Sequence, residues 1–147
     1  MTGRGERGSA LVEFTWLAIL LLVPLVYVVV SVFEVQRGAY AVSAASRSAA
    51  RAYSLAPTEA EGLARARASV ETAMADQGFA GQAFDLAITC TPAGACLQPG
   101  STVTVRLATR VALPLLPDSL GGNKPTFRLD STQQVPYGTY LEAPGAR

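Results

Sequence analysis

Four positions in this chain could do chemistry by type and spacing: a carboxylate, Glu13, a glycine five residues before it, Gly8, and two cysteines, Cys90 and Cys96. Glu13 stands at the mouth of residues 14–33 (FTWLAILLLVPLVYVVVSVF), which hold no charged side chain. A carboxylate there has two readings. It can mark the aqueous edge of an apolar helix and reach water, or it can lie inside an assembled apolar bundle and need a cationic partner. An unpaired charge at the centre of a bilayer costs at least ~2.5–3.5 kcal/mol and less near the helix edge, so energetics alone leaves both open. The cysteines enclose five residues, among them Pro92 and Gly94. In an oxidising compartment such a pair closes a small disulfide loop worth ~2 kcal/mol; the alternative is two buried free thiols. The C-x-x-C spacing of a redox site is missing, and two thiols in a chain without histidine do not make a metal site.

Catalytic constellations are not found. The absence of histidine removes the commonest general base and transition-metal ligand. There is no G-x-S-x-G elbow, H-E-x-x-H, P-loop or G-x-G-x-x-G. Asp118 and Asp130 pair with nothing readable and are expected to be turn or strand-surface residues. We therefore expect no catalytic residues, no cofactor and no metal. A net charge of +1 without clustered Lys and Arg gives no reason to expect nucleic acid.

The elements that must position these residues follow from periodicity. About twenty apolar residues in a helix span a ~30 Å hydrocarbon core, so residues 14–33 read as a membrane anchor with the lipid bilayer as partner. A removable secretory signal has a shorter apolar core and a small-residue cleavage site; here the run is followed by VFEVQ at residues 32–36. The leader, residues 1–8, carries Arg4 and Arg7, and its glycines Gly3, Gly5 and Gly8 argue against helix there. Arg37, Arg47 and Arg51 follow the run, so counting positive charge does not orient it. A leader this small cannot be a domain, which places the N-terminus in the cytoplasm and the bulk outside.

Beyond the run the chain is rich in Ala and Ser with no proline before Pro57, which predicts a helix continuing to about Leu55, ~45 residues and near 70 Å long. Arg37, Arg47 and Arg51 cluster on one face; Ala45, Ala49 and Ala52 lie roughly opposite and let another element approach the backbone closely. Thr58 and Glu61 form the signature of a capping box for a second helix, with Leu63, Ala66, Val70 and Met74 as its apolar stripe and Gly78 as its stop. The period then changes to two. Phe84, Leu86, Ile88 and Cys90 form one strand. Val103, Val105, Leu107, Val111 and Leu113 form a second, ended by Pro114 and Pro117 with a turn at Gly121-Gly122-Asn123. Phe127, Leu129 and Val135 mark a third, with Arg128, Asp130, Thr132 and Gln134 facing away. The expected fold is α+β: a long transmembrane helix continuing into a soluble helix, a second amphipathic helix, and a three-stranded antiparallel sheet covered on one face by helices. The boundaries are 1–8 for the leader, 9–35 for the transmembrane helix, 36–80 for the helical segment and 81–147 for the β domain, whose tail from Tyr137 has no period and is expected to fray.

The stretch GSALVEF, residues 8–14, after a basic leader and before an apolar run, resembles the processing site of type IV prepilins in the form seen in TadE-like minor pseudopilins of Tad (Flp-type) pili. The match lies at Gly8, Glu13 and Phe14, and the Ala/Ser/Arg-rich continuation extends the likeness over roughly residues 4–54; the strand region is similar only in outline. The resemblance implies a pilin-like fold and cleavage between Gly8 and Ser9 by a membrane prepilin peptidase on the cytoplasmic side. It also implies assembly with other pilin and pseudopilin subunits and a pilus assembly platform, in adhesion or secretion. Ser9 would become the N-terminus, and Glu13 of a neighbouring subunit could neutralise its ammonium. Pro24 removes one helical hydrogen bond in mid-membrane and either kinks the rod or is simply tolerated there. The alternative function is a signal-anchored, uncleaved binding module outside the cytoplasm.

Overall fold

The computed structural model describes residues 6–94, 96–112 and 126–138. Helix α1 spans Glu6–Ser54, forty-nine residues, or about 73 Å at the standard rise. It starts earlier than the glycines of the leader suggest. Extending a helix already formed from Ser9 onward costs far less than nucleating one, so Gly8 is carried into the first turns. Pro24 lies inside α1, which continues through it. The end falls where Pro57 requires it: Leu55 N donates to Arg51 O at 3.2 Å and Ala56 N to Tyr53 O at 3.1 Å, tightening the last turn.

Helix α2 spans Glu59–Asp76 behind Thr58, whose side chain accepts from Glu61 N at 3.3 Å. Only that half of the capping box forms, because the Glu61 carboxylate pairs with Arg65 one turn on. Gly78 has φ +83°, and Phe79 N reaches back to Met74 O at 2.9 Å, which ends the helix as expected. Ala66, Val70 and Met74 of the expected stripe are buried, but the buried row begins at Gly62, and Leu63 is 44 % exposed. The reason is closeness to α1. A Cβ on Gly62 would stand 2.9 Å from Tyr53 Cδ2 and 3.2 Å from Tyr53 O, so the crossing has no room for a large side chain.

Strands β1 (Phe84–Thr91), β2 (Thr102–Ala112) and β3 (Thr126–Pro136) form an antiparallel sheet in that order. Val103, Val105, Leu107 and Val111 of β2 are buried on the face that α1 covers, with α2 packed alongside α1. On β3, Arg128, Asp130, Thr132 and Gln134 face away as the alternation predicts, while Leu129 is buried. The pairing runs one residue past β3: Tyr137 N donates to Ser101 O at 2.8 Å, so the tail does not begin to fray at Tyr137. Leu113, Pro114, Leu115, Leu116, Pro117, Asp118 and the Gly121-Gly122-Asn123 turn lie outside the described residues, as do residues 1–5 and 139–147.

Candidate functional site

Helix α1 changes character along its length. Its first half is bare: Leu11, Phe14, Trp16, Leu20 and Phe33 are each more than 65 % exposed, and none of its most apolar eighteen-residue window is buried. Burying one large apolar side chain is worth about 1.5–3 kcal/mol, and soluble monomers rarely leave contiguous apolar patches beyond a few hundred Å² in water. A nonpolar environment must therefore cover this half. Among the described residues, α1 is the one helix long and apolar enough to cross a membrane.

Gly8 and Ser9 lie in the first turns of α1, and Glu13 follows Ser9 by one turn on the same side of the rod. Glu13 is exposed, and among the described residues no cation pairs with it. Phe14, beside it, is exposed as well. Nearby, Thr15 turns its hydroxyl back to Leu11 O at 2.8 Å, which satisfies it within the helix.

The second half of α1 is consumed by the fold. Ala41, Val42, Ala45, Ser46, Ala49, Ala50 and Tyr53 are buried, so two of the three expected small residues, Ala45 and Ala49, do admit a close neighbour; Ala52 is only half-buried. That neighbour is the chain's own sheet and α2. Gly38 marks the close approach of α1 to the sheet, a position that periodicity does not single out. A Cβ there would sit 2.6 Å from Leu129 Cδ1 and 3.2 Å from Val111 Cγ2. Higher up, the Ser46 hydroxyl lies 2.9 Å from Ser131 Oγ and also donates to Ser43 O at 3.0 Å, which satisfies the polar atoms at that contact. Arg47 and Arg51 stay on the open side. Arg37 departs from them, since its guanidinium carbon lies 5.7 Å from the centre of the Phe79 ring.

Cys90 and Cys96 are joined by a disulfide. Leu97 is buried beneath the loop, and Ser101 Oγ donates to Cys96 O at 3.0 Å, so the clip is tied to the start of β2. It is remote in the chain from Glu13 and belongs to the scaffold. Among the described residues no group of three or more His, Cys, Asp and Glu is placed to hold a metal ion.

Two arrangements had no counterpart in the sequence pattern. One is an apolar groove between α1 and the start of β3, lined by Tyr27, Val28, Ser31, Val32, Val35 and Phe127. The other is a cross-strand pair of like charges, Arg110 opposite Arg128, on the sheet face away from the helices. Both depend on strand register, which alternation alone does not supply. Comparison with protein-family models, curated proteins and solved structures finds no match to this chain.

Proposed function

We propose that the chain is a minor pseudopilin of the TadE-like kind, a non-catalytic subunit in the assembly of a Tad (Flp-type) pilus. The observation that carries this reading is Glu13, one helical turn past the Gly8–Ser9 junction, on a rod whose lower half is apolar and uncovered. A prepilin peptidase cutting between Gly8 and Ser9 would leave an ammonium at the positive end of the α1 dipole, where the first four backbone N–H groups lack partners. Glu13 of an adjacent subunit would neutralise that charge and set the two helices about 6 Å out of step, four residues at the standard rise. Pro24 would lie within the packed helices, and the disulfide would brace the outer domain. The N-terminus would be cytoplasmic and the sheet outside.

The same anchor without cleavage would serve a tethered binding module, and the mature N-terminus separates the two. Mass spectrometry of the protein purified from membranes of its native host is expected to show a chain beginning at Ser9. A chain that keeps the residues before Ser9 would overturn the pseudopilin reading and leave the tethered module.

A further inference from the structure

The groove and the arginine pair occupy the same end of the sheet. Gly38 of α1 lies against Leu129 and Val111, which fixes the level of the helix beside β3. Phe127 is two residues before Leu129 on the same strand, about 6.6 Å farther down, which corresponds to some four residues of helix. That level is residues 31–35 of α1, where the uncharged run gives way to Glu34, and four of the α1 residues lining the groove (Tyr27, Val28, Ser31 and Val32) belong to the run itself. The end of the sheet formed by β2 and β3 therefore stands at the height where α1 leaves its apolar surroundings. Phe127 is 49 % exposed there, on the helix side of β3.

On the opposite face of the same end, Arg110 and Arg128 are direct cross-strand partners. Directly opposed like charges in an antiparallel pair stand within about 5.5 Å at Cβ and repel. Among the described residues the one ion pair is Arg65–Glu61, so neither arginine is relieved by such a bridge within them. The carboxylates of this region are Glu34 on α1 and, one row farther from the groove, Asp85 and Asp130, both opposite Ala108. The cations thus occupy the row nearer the membrane exit and the acids of the sheet the row behind it.

We propose that this end of the sheet docks on the surface of an anionic bilayer. Phe127 enters the apolar boundary beside Tyr27 and Val28, and Arg110 and Arg128 share phospholipid headgroup oxygens between them. Two features favour lipid over a protein partner. The groove is continuous with the bare apolar surface of α1, and an aromatic side chain beside two arginines that no salt bridge relieves among the described residues suits the boundary between acyl chains and phosphates. The proposal rests on α1 spanning a membrane and is independent of pilus assembly. The domain would then have a preferred tilt on the membrane instead of swinging freely on its stalk.

The test uses the full chain in vesicles of phosphatidylcholine alone and of phosphatidylcholine with phosphatidylglycerol. Phe127→Trp in a Trp16→Phe background places one indole at the groove, and headgroup-proximal spin-labelled lipid is the quencher. Each cation near an anionic surface contributes about 1 kcal/mol, so two favour the docked sheet by roughly 30-fold in anionic over neutral vesicles. Strong quenching confined to the anionic vesicles is expected. Arg110→Gln with Arg128→Gln should abolish it, and the paired Lys substitutions should keep it, with sheet dichroism and the disulfide showing that each variant folds. Equal quenching in both vesicles, or none, overturns the proposal. So does loss of the effect on adding inorganic phosphate but not chloride at matched ionic strength, since the arginines would then hold a free oxyanion. Quenching of Trp16 in the unaltered chain reports the span separately. If it too is absent, the spanning reading fails and this proposal with it.

Discussion

Replacing Gly38 by alanine sets two effects of known sign against each other. In an open helix interior the change would stabilise by about 1 kcal/mol, the difference in helix propensity. Here the new Cβ would meet Leu129 Cδ1 at 2.6 Å and Val111 Cγ2 at 3.2 Å. Carbon atoms rest at ~3.5–4.0 Å, so Leu129 would have to yield by roughly 1 Å. Leu129 is 8 % exposed and Val111 5 %, which leaves little space to yield into. Overpacking of this kind costs about 1–3 kcal/mol, so the steric term prevails and Gly38→Ala destabilises by up to about 2 kcal/mol. For a soluble portion of roughly 100 residues the midpoint falls by some 4–8 °C per kcal/mol. Thermal unfolding of the full chain in mild detergent, followed by near-ultraviolet dichroism of Tyr53 and Tyr137, measures this. Leu129→Ala alone should cost about 2–5 kcal/mol as a cavity. In the double variant the alanine methyl enters the vacated space, giving a favourable coupling of about 1–3 kcal/mol. A midpoint that rises with Gly38→Ala, or a double variant that is simply additive, would refute the close approach of α1 to the sheet.

Three further outcomes are expected. Glu13→Gln should leave membrane insertion intact, because it removes a charge at the edge of the apolar run, yet reduce co-purification with pilin subunits; normal incorporation would defeat the ammonium–carboxylate pairing. Reducing the Cys90–Cys96 bond, which closes a separation of six residues, should cost about 2 kcal/mol and lower the midpoint by roughly 8–16 °C, and an unchanged midpoint would remove the clip from the account of stability. Burial, and secondarily the charge of Glu59, hold the Tyr53 phenol above its ordinary value of 10.0. The folded state therefore keeps a proton that the unfolded chain loses, and stability falls as pH rises from that value through the higher folded one. Alkaline unfolding of Tyr53→Phe should show a shallower fall, and identical curves would refute the assignment.

The elements were legible because each has its own period. An uncharged run of membrane length, an Ala-rich continuation stopped by Pro57, a capped amphipathic helix and three alternating strands all stand where the sequence pattern places them. The disulfide followed from a short loop in a chain with two cysteines. The failures share one cause. Spacing of three and four puts Leu63 at the head of a stripe whose other members, Ala66, Val70 and Met74, are buried, yet Leu63 is exposed. Gly62 takes the first place in that row because it lets α2 approach Tyr53. Closeness of backbones favours the smallest side chain, and a reading by hydrophobicity ranks that residue last. The same reading ranks Gly38 last, although the sheet comes close to α1 there. The Arg110–Arg128 pair was hidden differently: a register shift of two residues leaves every inward and outward face unchanged but gives each arginine another partner.

In the proposed assembly, the contrast between the two halves of α1 would limit how a second subunit meets it. The lower half carries large apolar side chains that nothing in the described fold covers, so in the proposed assembly lipid and neighbouring helices would compete for the same surface. The upper half carries small residues, and its own sheet and α2 have already filled that seam from Gly38 to Tyr53. Among the positions left open, Phe33 at the top of the lower half and Tyr40, Arg47 and Arg51 above it form one line along the rod, spaced by seven, seven and four residues and each within about 20° of Tyr40. Phe33 is 66 % exposed and Tyr40 75 %, and both arginines are exposed. A neighbouring helix that followed the lower half upward would meet this line next. Aromatic rings and guanidinium groups suit an acidic or aromatic partner and repel a parallel copy placed face to face, so identical subunits packed along α1 would have to be offset, in keeping with the stagger that pairing Ser9 with Glu13 would impose.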